Sequence, residues 1–157
     1  MKGWIRTMPR SRLIDLIVVH CSDSDYGNAV LIDRWHRARG WRSIGYHYVI
    51  LNGYPDEDSS RLHRPQFWLD GFIEAGRQVE RIGAHVRGWN HNSIGICMIG
   101  RNQFTQLQFE ALQKLIADIR RSHRDARLCG HYELLRPGDP PKTCPNIDME
   151  WLRGLMV

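Results

Sequence analysis

The sequence is poor in the features that mark membrane-spanning and disulfide-rich proteins. Its 157 residues include only 4 cysteines, and no two of them form a C-x-x-C pair. A disulfide framework is therefore not expected in a chain of this size. No apolar run approaches the ~18 residues of a membrane span, so we expect no membrane insertion. Repeats, low-complexity tracts and Pro- or Ser-rich linkers are also missing, which favours a single domain over 1–157.

The amino-terminal segment and the charge balance restrict location and partners. Residues 1–12 are basic but lack a continuous apolar stretch, so they do not resemble a secretory signal. We therefore expect a cytoplasmic protein. The net charge of +5 and the pI of about 9.3 favour anionic partners such as nucleic acid, anionic membrane or acidic wall polymers. Charge alone does not choose among these partners, and general solubility explains it equally well.

The hydrophobic pattern alternates between strand-like and helix-like segments. Strand-like apolar runs occupy 13–20, 44–51, 72–77, 92–100 and 126–131. Helical periodicity or capping signals occupy 28–39, 105–122 and 148–155. This alternation predicts an α/β fold, with a mixed central β-sheet and helices packed on it.

Two further patterns point to special local structure. The run 92–100 contains two glycines, Gly95 and Gly100, which indicate that another part of the chain approaches this strand closely. The segment 52–69 contains two prolines and an acidic cluster and reads as a long loop. Loops of this length in compact domains are often functional.

Three residues are candidates for a metal site. His20 and His131 each end a predicted strand, where open sheets place their sites, and Cys144 follows in "KTCPN". Two imidazoles and a thiolate suit zinc, and three protein ligands leave a fourth position for water, as in catalytic zinc sites. Spacing alone leaves structural roles open for each residue. Cys21 should face away from His20. Glu133, on a continuing strand, would share the face of His131, with a surface carboxylate as the favoured role and a second base as the alternative.

Four blocks of sequence carry a family resemblance. They read "IVVHCS", "RWHRARGWRSIGYHYVI", "GAHVRGWNHNSIGICMIG" and "GHYELLRPGDPPKTCPNID", in that order. Together they resemble the type 2 N-acetylmuramoyl-L-alanine amidases, which include amidase-type phage lysozymes and peptidoglycan recognition proteins. The resemblance spans about 14–150. It implies one Zn²⁺ per chain, bound by His20, His131 and Cys144, and hydrolysis of the amide between N-acetylmuramic acid and L-alanine.

The resemblance also implies roles for residues around the metal. Tyr46 and Lys142 match the family's catalytic positions, where they would stabilise an oxyanion or relay a proton. His85 and Asn90 lie in matched blocks and are expected to bind substrate, with support of a ligand as the alternative for His85. His47 should face the opposite side of its strand from Tyr46.

The leading functional prediction is a zinc-dependent peptidoglycan hydrolase acting as a phage or prophage endolysin. It would remain in the cytoplasm until released to the cell wall, act as a monomer without a separate wall-binding domain, and need no nucleic acid. One alternative is a cytoplasmic amidase that recycles muropeptides. Another is a non-catalytic peptidoglycan-binding module, which Cys144, Tyr46 and Lys142 argue against. Two departures from the family pattern are the insertion at 52–69, a candidate extra wall of the substrate groove, and Asn146, where glycine is common.

Overall fold

Five strands form one mixed sheet in the computed structural model, which describes residues 11–156. The strands are β1 (Leu16–Cys21), β2 (Tyr48–Asn52), β3 (Asp70–Ala75), β4 (Ser93–Met98) and β5 (Arg127–Gly130). Their order is β3-β2-β4-β1-β5. β4 pairs in parallel with both β1 and β2, β5 pairs in parallel with β1, and only β3 runs antiparallel, beside β2. The predicted α/β fold with a mixed central sheet is confirmed.

Four α-helices accompany the sheet among the described residues. They are α1 (Ala29–Ala38), α2 (Glu57–Arg61), α3 (Gln106–Ser122) and α4 (Met149–Leu155). The predicted capping box of α3 is present, because Thr105 and Gln108 exchange side-chain to backbone hydrogen bonds. None of these helices is long and apolar enough to cross a membrane.

The two faces of β4 explain where the core and the site lie. Ile94, Ile96 and Met98 pack with α3 in the main core. The alternate residues Ser93, Gly95 and Cys97 are small and lie on the other face. Their partners in the register with β1 are Leu16, Val18 and His20, in that order. The small side chains leave room above β4 for other groups beside His20.

Some predicted boundaries were wrong for identifiable reasons. The strand predicted at 126–131 ends at Gly130, and His131 begins a short 3₁₀ turn, His131–Leu134. The Glu133 carboxylate accepts the backbone N–H of Gly130 at 2.8 Å and closes this turn. Glu133 also pairs with Arg153 at 3.1 Å, so its place on a strand beside His131 and its suggested role as a second base are not supported.

Two other segments also differ from the prediction. Regular pairing of β2 begins at Tyr48 rather than at 44, although His47 still donates its backbone N–H to Gly95 O at 2.9 Å. The segment 52–69, predicted as a loop, contains α2 and a 3₁₀ turn, Phe67–Leu69. Asp56 caps α2 through a capping box with Ser59, a short-range signal within the acidic cluster.

Candidate metal centre and its cleft

Sheet topology brings the three predicted metal ligands together. His20 lies at the end of β1, and His131 follows β5, which is the neighbour of β1 in the sheet. The ring centroids of the two histidines are 4.8 Å apart. Cys144 returns to this edge on a late loop, where its carbonyl accepts the backbone N–H of Tyr132 at 3.0 Å. One ligand atom from each of His20, His131 and Cys144 lies within 4.8 Å of the other two.

The donor set and spacing fit zinc. Cys144 Sγ is 3.8 Å from His20 Nδ1, and standard Zn–N and Zn–S bonds in a tetrahedron separate such atoms by about 3.6 Å. His20 is 1% exposed, whereas His131 and Cys144 are partly exposed, so the group opens toward solvent on one side. No second group of this kind occurs within residues 11–156. Three ligands and an open side are the arrangement of a catalytic zinc site.

Burial keeps both histidines in the form that binds metal. Desolvation lowers the pKa of His20 well below its usual value, and the neighbouring histidines and Lys142 act in the same direction. Desolvation, followed by the charge of Lys142, lowers the pKa of His131 to about 4. At neutral pH both imidazoles are therefore uncharged, and a neutral imidazole is the ligand that zinc requires.

Cys21 lines the same cleft as the three grouped ligands, so the prediction that it turns away from His20 is wrong. It is the last residue of β1, where the late loop carrying Cys144 packs against it, and it is not part of the ligand group. Its backbone N–H donates to Cys144 Sγ at 3.3 Å. A hydrogen bond between the two thiols lowers the pKa of Cys21 to about 7 and raises that of Cys144. Bound zinc would favour the thiolate on Cys144.

Asn146 holds the loop that carries Cys144. Its backbone has φ = 60°, in the left-handed region that glycine and asparagine adopt most readily. Its side-chain amide donates to the Arg101 carbonyl at 2.6 Å and to Cys21 Sγ at 3.7 Å. Asparagine therefore satisfies the backbone requirement of this position and adds two anchoring contacts.

Tyr46 and Lys142 line the same cleft, which has a volume of about 470 Å³. The Tyr46 ring centroid is 5.0 Å from that of His20. Burial raises the Tyr46 pKa well above its usual value, with the nearby thiols adding to the effect, so its hydroxyl keeps its proton at neutral pH. Lys142, two residues before Cys144, is exposed and lines the same cleft. The cleft thus holds a neutral donor and an exposed cation beside the metal ligands.

The predicted substrate residues His85 and Asn90 have different positions. His85 lines the cleft, but its Nδ1 lies 2.9 Å from Nε2 of His20. Asn90 is not among the cleft residues; its Oδ1 accepts the backbone N–H groups of His85 and Val86 at 2.8 and 2.9 Å. Contact of either residue with substrate stays a prediction, and the observed contacts are those of supporting residues.

The cleft also contains residues that the sequence pattern did not single out. Trp41, 39% exposed, packs against His36 with the two rings tilted by 47° and their centroids 4.4 Å apart. His36, which lies in the predicted helix 28–39, is buried, and its Nδ1 accepts the Gly45 N–H at 2.9 Å just before Tyr46. Asp23 and Arg39 also line the cleft. Neither periodicity nor spacing distinguishes such residues from surface positions.

The insertion at 52–69 builds a second hollow beside the cleft, with a volume of about 500 Å³. Tyr54 and His63 line this hollow, whereas no residue of 52–69 lines the metal cleft, so a role for the insertion as a wall of the substrate groove stays a prediction. Arg101 separates the two hollows, because its guanidinium pairs with Asp23, which lines the cleft, and with Asp25, which lines the hollow. The aromatic pair Phe67 and Trp68, 76% and 75% exposed, lies outside both.

Known proteins resemble this chain over most of its length. The endolysin of Escherichia phage T7 is 32% identical over 91% of this chain and 89% of its own, and the endolysin of Klebsiella phage KP32 is 31% identical over 90% and 87%. The amidase LysC from Clostridium intestinale URNW shares the fold, with a TM-score of 0.73 and 24% identity over 91% of this chain and 85% of its own. The family model described as N-acetylmuramoyl-L-alanine amidase matches residues 9–147, so the chain belongs to the N-acetylmuramoyl-L-alanine amidase family.

Proposed function

We propose that this protein is a zinc-dependent N-acetylmuramoyl-L-alanine amidase that works as a phage-type endolysin on peptidoglycan. The observation that carries the proposal is the convergence of His20, His131 and Cys144, whose ligand atoms lie within 4.8 Å of one another in an open cleft. Membership of the amidase family and similarity to phage endolysins support the substrate and the setting.

His20, His131 and Cys144 would hold the metal. Bound zinc would supply two things, a coordinated water with a pKa of about 7 and polarisation of the scissile carbonyl. The protein has to position the substrate and stabilise the negative charge that develops on the carbonyl oxygen. The nearby groups suited to that charge are the protonated Tyr46 hydroxyl and the Lys142 ammonium.

Tyr46 and Lys142 differ in what each can contribute. The Tyr46 hydroxyl sits on a half-buried ring beside His20, so it is a positioned neutral donor. Lys142 lies on an exposed loop and brings a full charge on a flexible stem. We assign Tyr46 to hydrogen bonding of the carbonyl oxygen, and Lys142 to charge stabilisation and to proton delivery toward the departing amine.

The test combines metal content with product analysis. Purified protein should contain about one zinc per chain and should release new L-alanine amino termini from peptidoglycan, and chelation should stop the release. Wall binding without any turnover in zinc-loaded protein would replace the proposal with a binding module. Turnover of soluble muropeptides but not of intact sacculi would replace the endolysin role with fragment recycling.

A further inference from the structure

A buried chain of hydrogen bonds runs from the metal site into the sheet. His20 turns Nδ1 toward Cys144 Sγ, at 3.8 Å, and its Nε2 lies 2.9 Å from Nδ1 of His85. The other nitrogen of His85, Nε2, lies 3.2 Å from Oγ of Ser93, at the start of β4. His20, His85 and Ser93 are 1%, 8% and 0% exposed, so water competes little for these contacts.

The His85 side chain is fixed by packing of its ring on Gly95 and by a hydrogen bond of its backbone N–H to Asn90. A Cβ atom on Gly95 would lie only 2.5 Å from Cγ of His85, so the ring rests directly on the glycine of a central strand. The close approach predicted for this glycine is thus made by His85. Asn90 Oδ1 accepts the backbone N–H of His85 at 2.8 Å and fixes the turn that carries the ring.

This geometry determines which nitrogen of each ring carries the proton. If Nδ1 of His20 serves as a metal ligand, the neutral ring has its proton on Nε2 and donates it to Nδ1 of His85. His85 must then be unprotonated at Nδ1 and carry its own proton on Nε2. That proton is directed at the Ser93 hydroxyl oxygen, which accepts it. Each ring nitrogen of His20 and His85 is then defined either as a donor, as an acceptor or as a metal ligand.

We propose that His85 is a positioning residue, held by Ser93 and Gly95, that fixes the tautomer and the ring orientation of His20 for metal binding. The inference rests on the proposed zinc centre and deepens it. Partners of this kind orient metal-bound histidines and raise their basicity. His85 therefore acts through His20 rather than through contact with the substrate, and of the two roles that the sequence left open for it the inference selects support of a ligand.

The first test is zinc affinity, measured by competition with a chromophoric chelator. His85→Leu removes the acceptor for His20, and we expect its zinc affinity to fall by about 10-fold to 100-fold. His85→Asn retains an oxygen acceptor near the position of Nδ1 and should recover part of that loss. Ser93→Ala removes only the last hydroxyl, and we expect a smaller, several-fold loss. Kinetics at saturating zinc should show an unchanged KM.

His36→Leu is the matched control. It makes the same change at a buried histidine that lines the same cleft but has no hydrogen bond to a ligand. We expect its zinc affinity to match that of the parent protein. Nitrogen-15 NMR of the histidine rings provides a second measurement, in which zinc-loaded parent protein should carry the His85 proton on Nε2, and Ser93→Ala should change that signal.

The outcomes separate this inference from the proposed function. A parent protein that binds no zinc would overturn the metal centre itself. A parent that binds zinc, with His85→Leu binding equally tightly, would overturn only the positioning role. A His85→Leu variant with normal zinc affinity and a raised KM would return His85 to substrate binding. If His85→Leu does not fold, Ser93→Ala and the His85 tautomer decide, and a proton on Nδ1 of His85 overturns the inference.

Discussion

The backbone N–H of Cys21 donates to Sγ of Cys144 at 3.3 Å, although 123 positions separate the two residues. The contact joins the end of a central strand to the late loop that closes the cleft. A backbone donor directed at sulfur stabilises a thiolate, which is the form of cysteine that binds zinc. Because the donor belongs to the main chain, it survives replacement of the Cys21 side chain.

This relationship leads to a paired prediction for the two cysteines. Cys144→Ser should lose zinc and amidase activity, since a hydroxyl is a far poorer zinc ligand than a thiolate. Cys21→Ser should retain about one zinc per chain, because its N–H still donates to Cys144. Elemental analysis of both purified variants checks the pair. Full zinc content in Cys144→Ser would contradict the ligand assignment, and zinc loss in Cys21→Ser alone would move the ligand to Cys21.

The second prediction concerns Tyr46 and Lys142. Tyr46→Phe removes one hydroxyl from a positioned ring, and Lys142→Met removes one charge while keeping a stem of similar length. Each should lower kcat by about 100-fold to 1,000-fold if it stabilises the developing oxyanion. Zinc content should stay at the parent level in both variants, since neither residue is a ligand.

Lys142→Arg is the control for this pair, because it retains the positive charge while changing the donor geometry. Its loss of kcat should be smaller than that of Lys142→Met. Equal kcat in Tyr46→Phe and the parent enzyme would leave Tyr46 as a packing residue between His20 and His36, whose rings are 5.0 and 5.4 Å away.

The strands and main helices could be predicted because their signals are local. Apolar runs of strand length and a helical stripe reflect burial, which dominates the energetics of folding. Gln108 illustrates the limit of such signals. Its place three residues after Thr105 predicts that it caps α3, as it does. Its side-chain amide also donates to the backbone carbonyls of Ile50 and Ile99 at 3.2 and 2.8 Å. Nothing near Gln108 in sequence indicates the Ile50 contact.

The metal site shows the same difference between local signals, which the sequence carries, and long-range contacts, which it does not. His20 could be identified as the end of a central strand, but its grouping with His131 and Cys144 depends on which strands are neighbours and on the path of a late loop. The family resemblance predicted that these three residues share a metal, whereas their spacing in the sequence did not. The contact of His85 with His20 joins residues 65 positions apart, and it depends on the absence of a side chain at Gly95. Spacing in the sequence does not encode it.

Acid should destabilise the protein through its buried histidines, and His47 gives the clearest case. It is 1% exposed, its Nδ1 accepts the Gly95 N–H at 3.0 Å, and burial lowers its pKa to about 4. In the unfolded chain His47 has a pKa of about 6.5, so its contribution to folding stability is complete above that pH. As the pH falls from 6.5 toward 4, His47 should remove about 1.4 kcal/mol of stability per pH unit.

Urea unfolding of metal-free protein at several pH values tests this slope. Other buried histidines add to it, among them His36, whose pKa burial also lowers to about 4. His47→Gln should be less stable at pH 7, because it loses a packed ring, yet its stability should fall less steeply below pH 6.5. An identical slope in His47→Gln and the parent would show that His47 does not stay neutral in the folded state.

The last prediction concerns the insertion at 52–69, whose residues face two directions. Tyr54 and His63 line the hollow that Arg101 separates from the metal cleft, whereas Phe67 and Trp68 lie outside both. A polymer that reaches the cleft across Arg101 meets the hollow first. Replacing both Tyr54 and His63 with Ala should therefore raise KM for intact wall several-fold, with kcat and zinc content unchanged.

Phe67→Ser combined with Trp68→Ser is the matched control, since it removes two exposed aromatic rings from the same insertion without touching the hollow. Its KM should match that of the parent enzyme. A raised KM in the control and a normal KM in the Tyr54 and His63 variant would mean that the wall contacts the outer aromatic face. Parent-like kinetics in both would leave the insertion without a role in substrate binding, because each of its two candidate surfaces would then have been removed without effect.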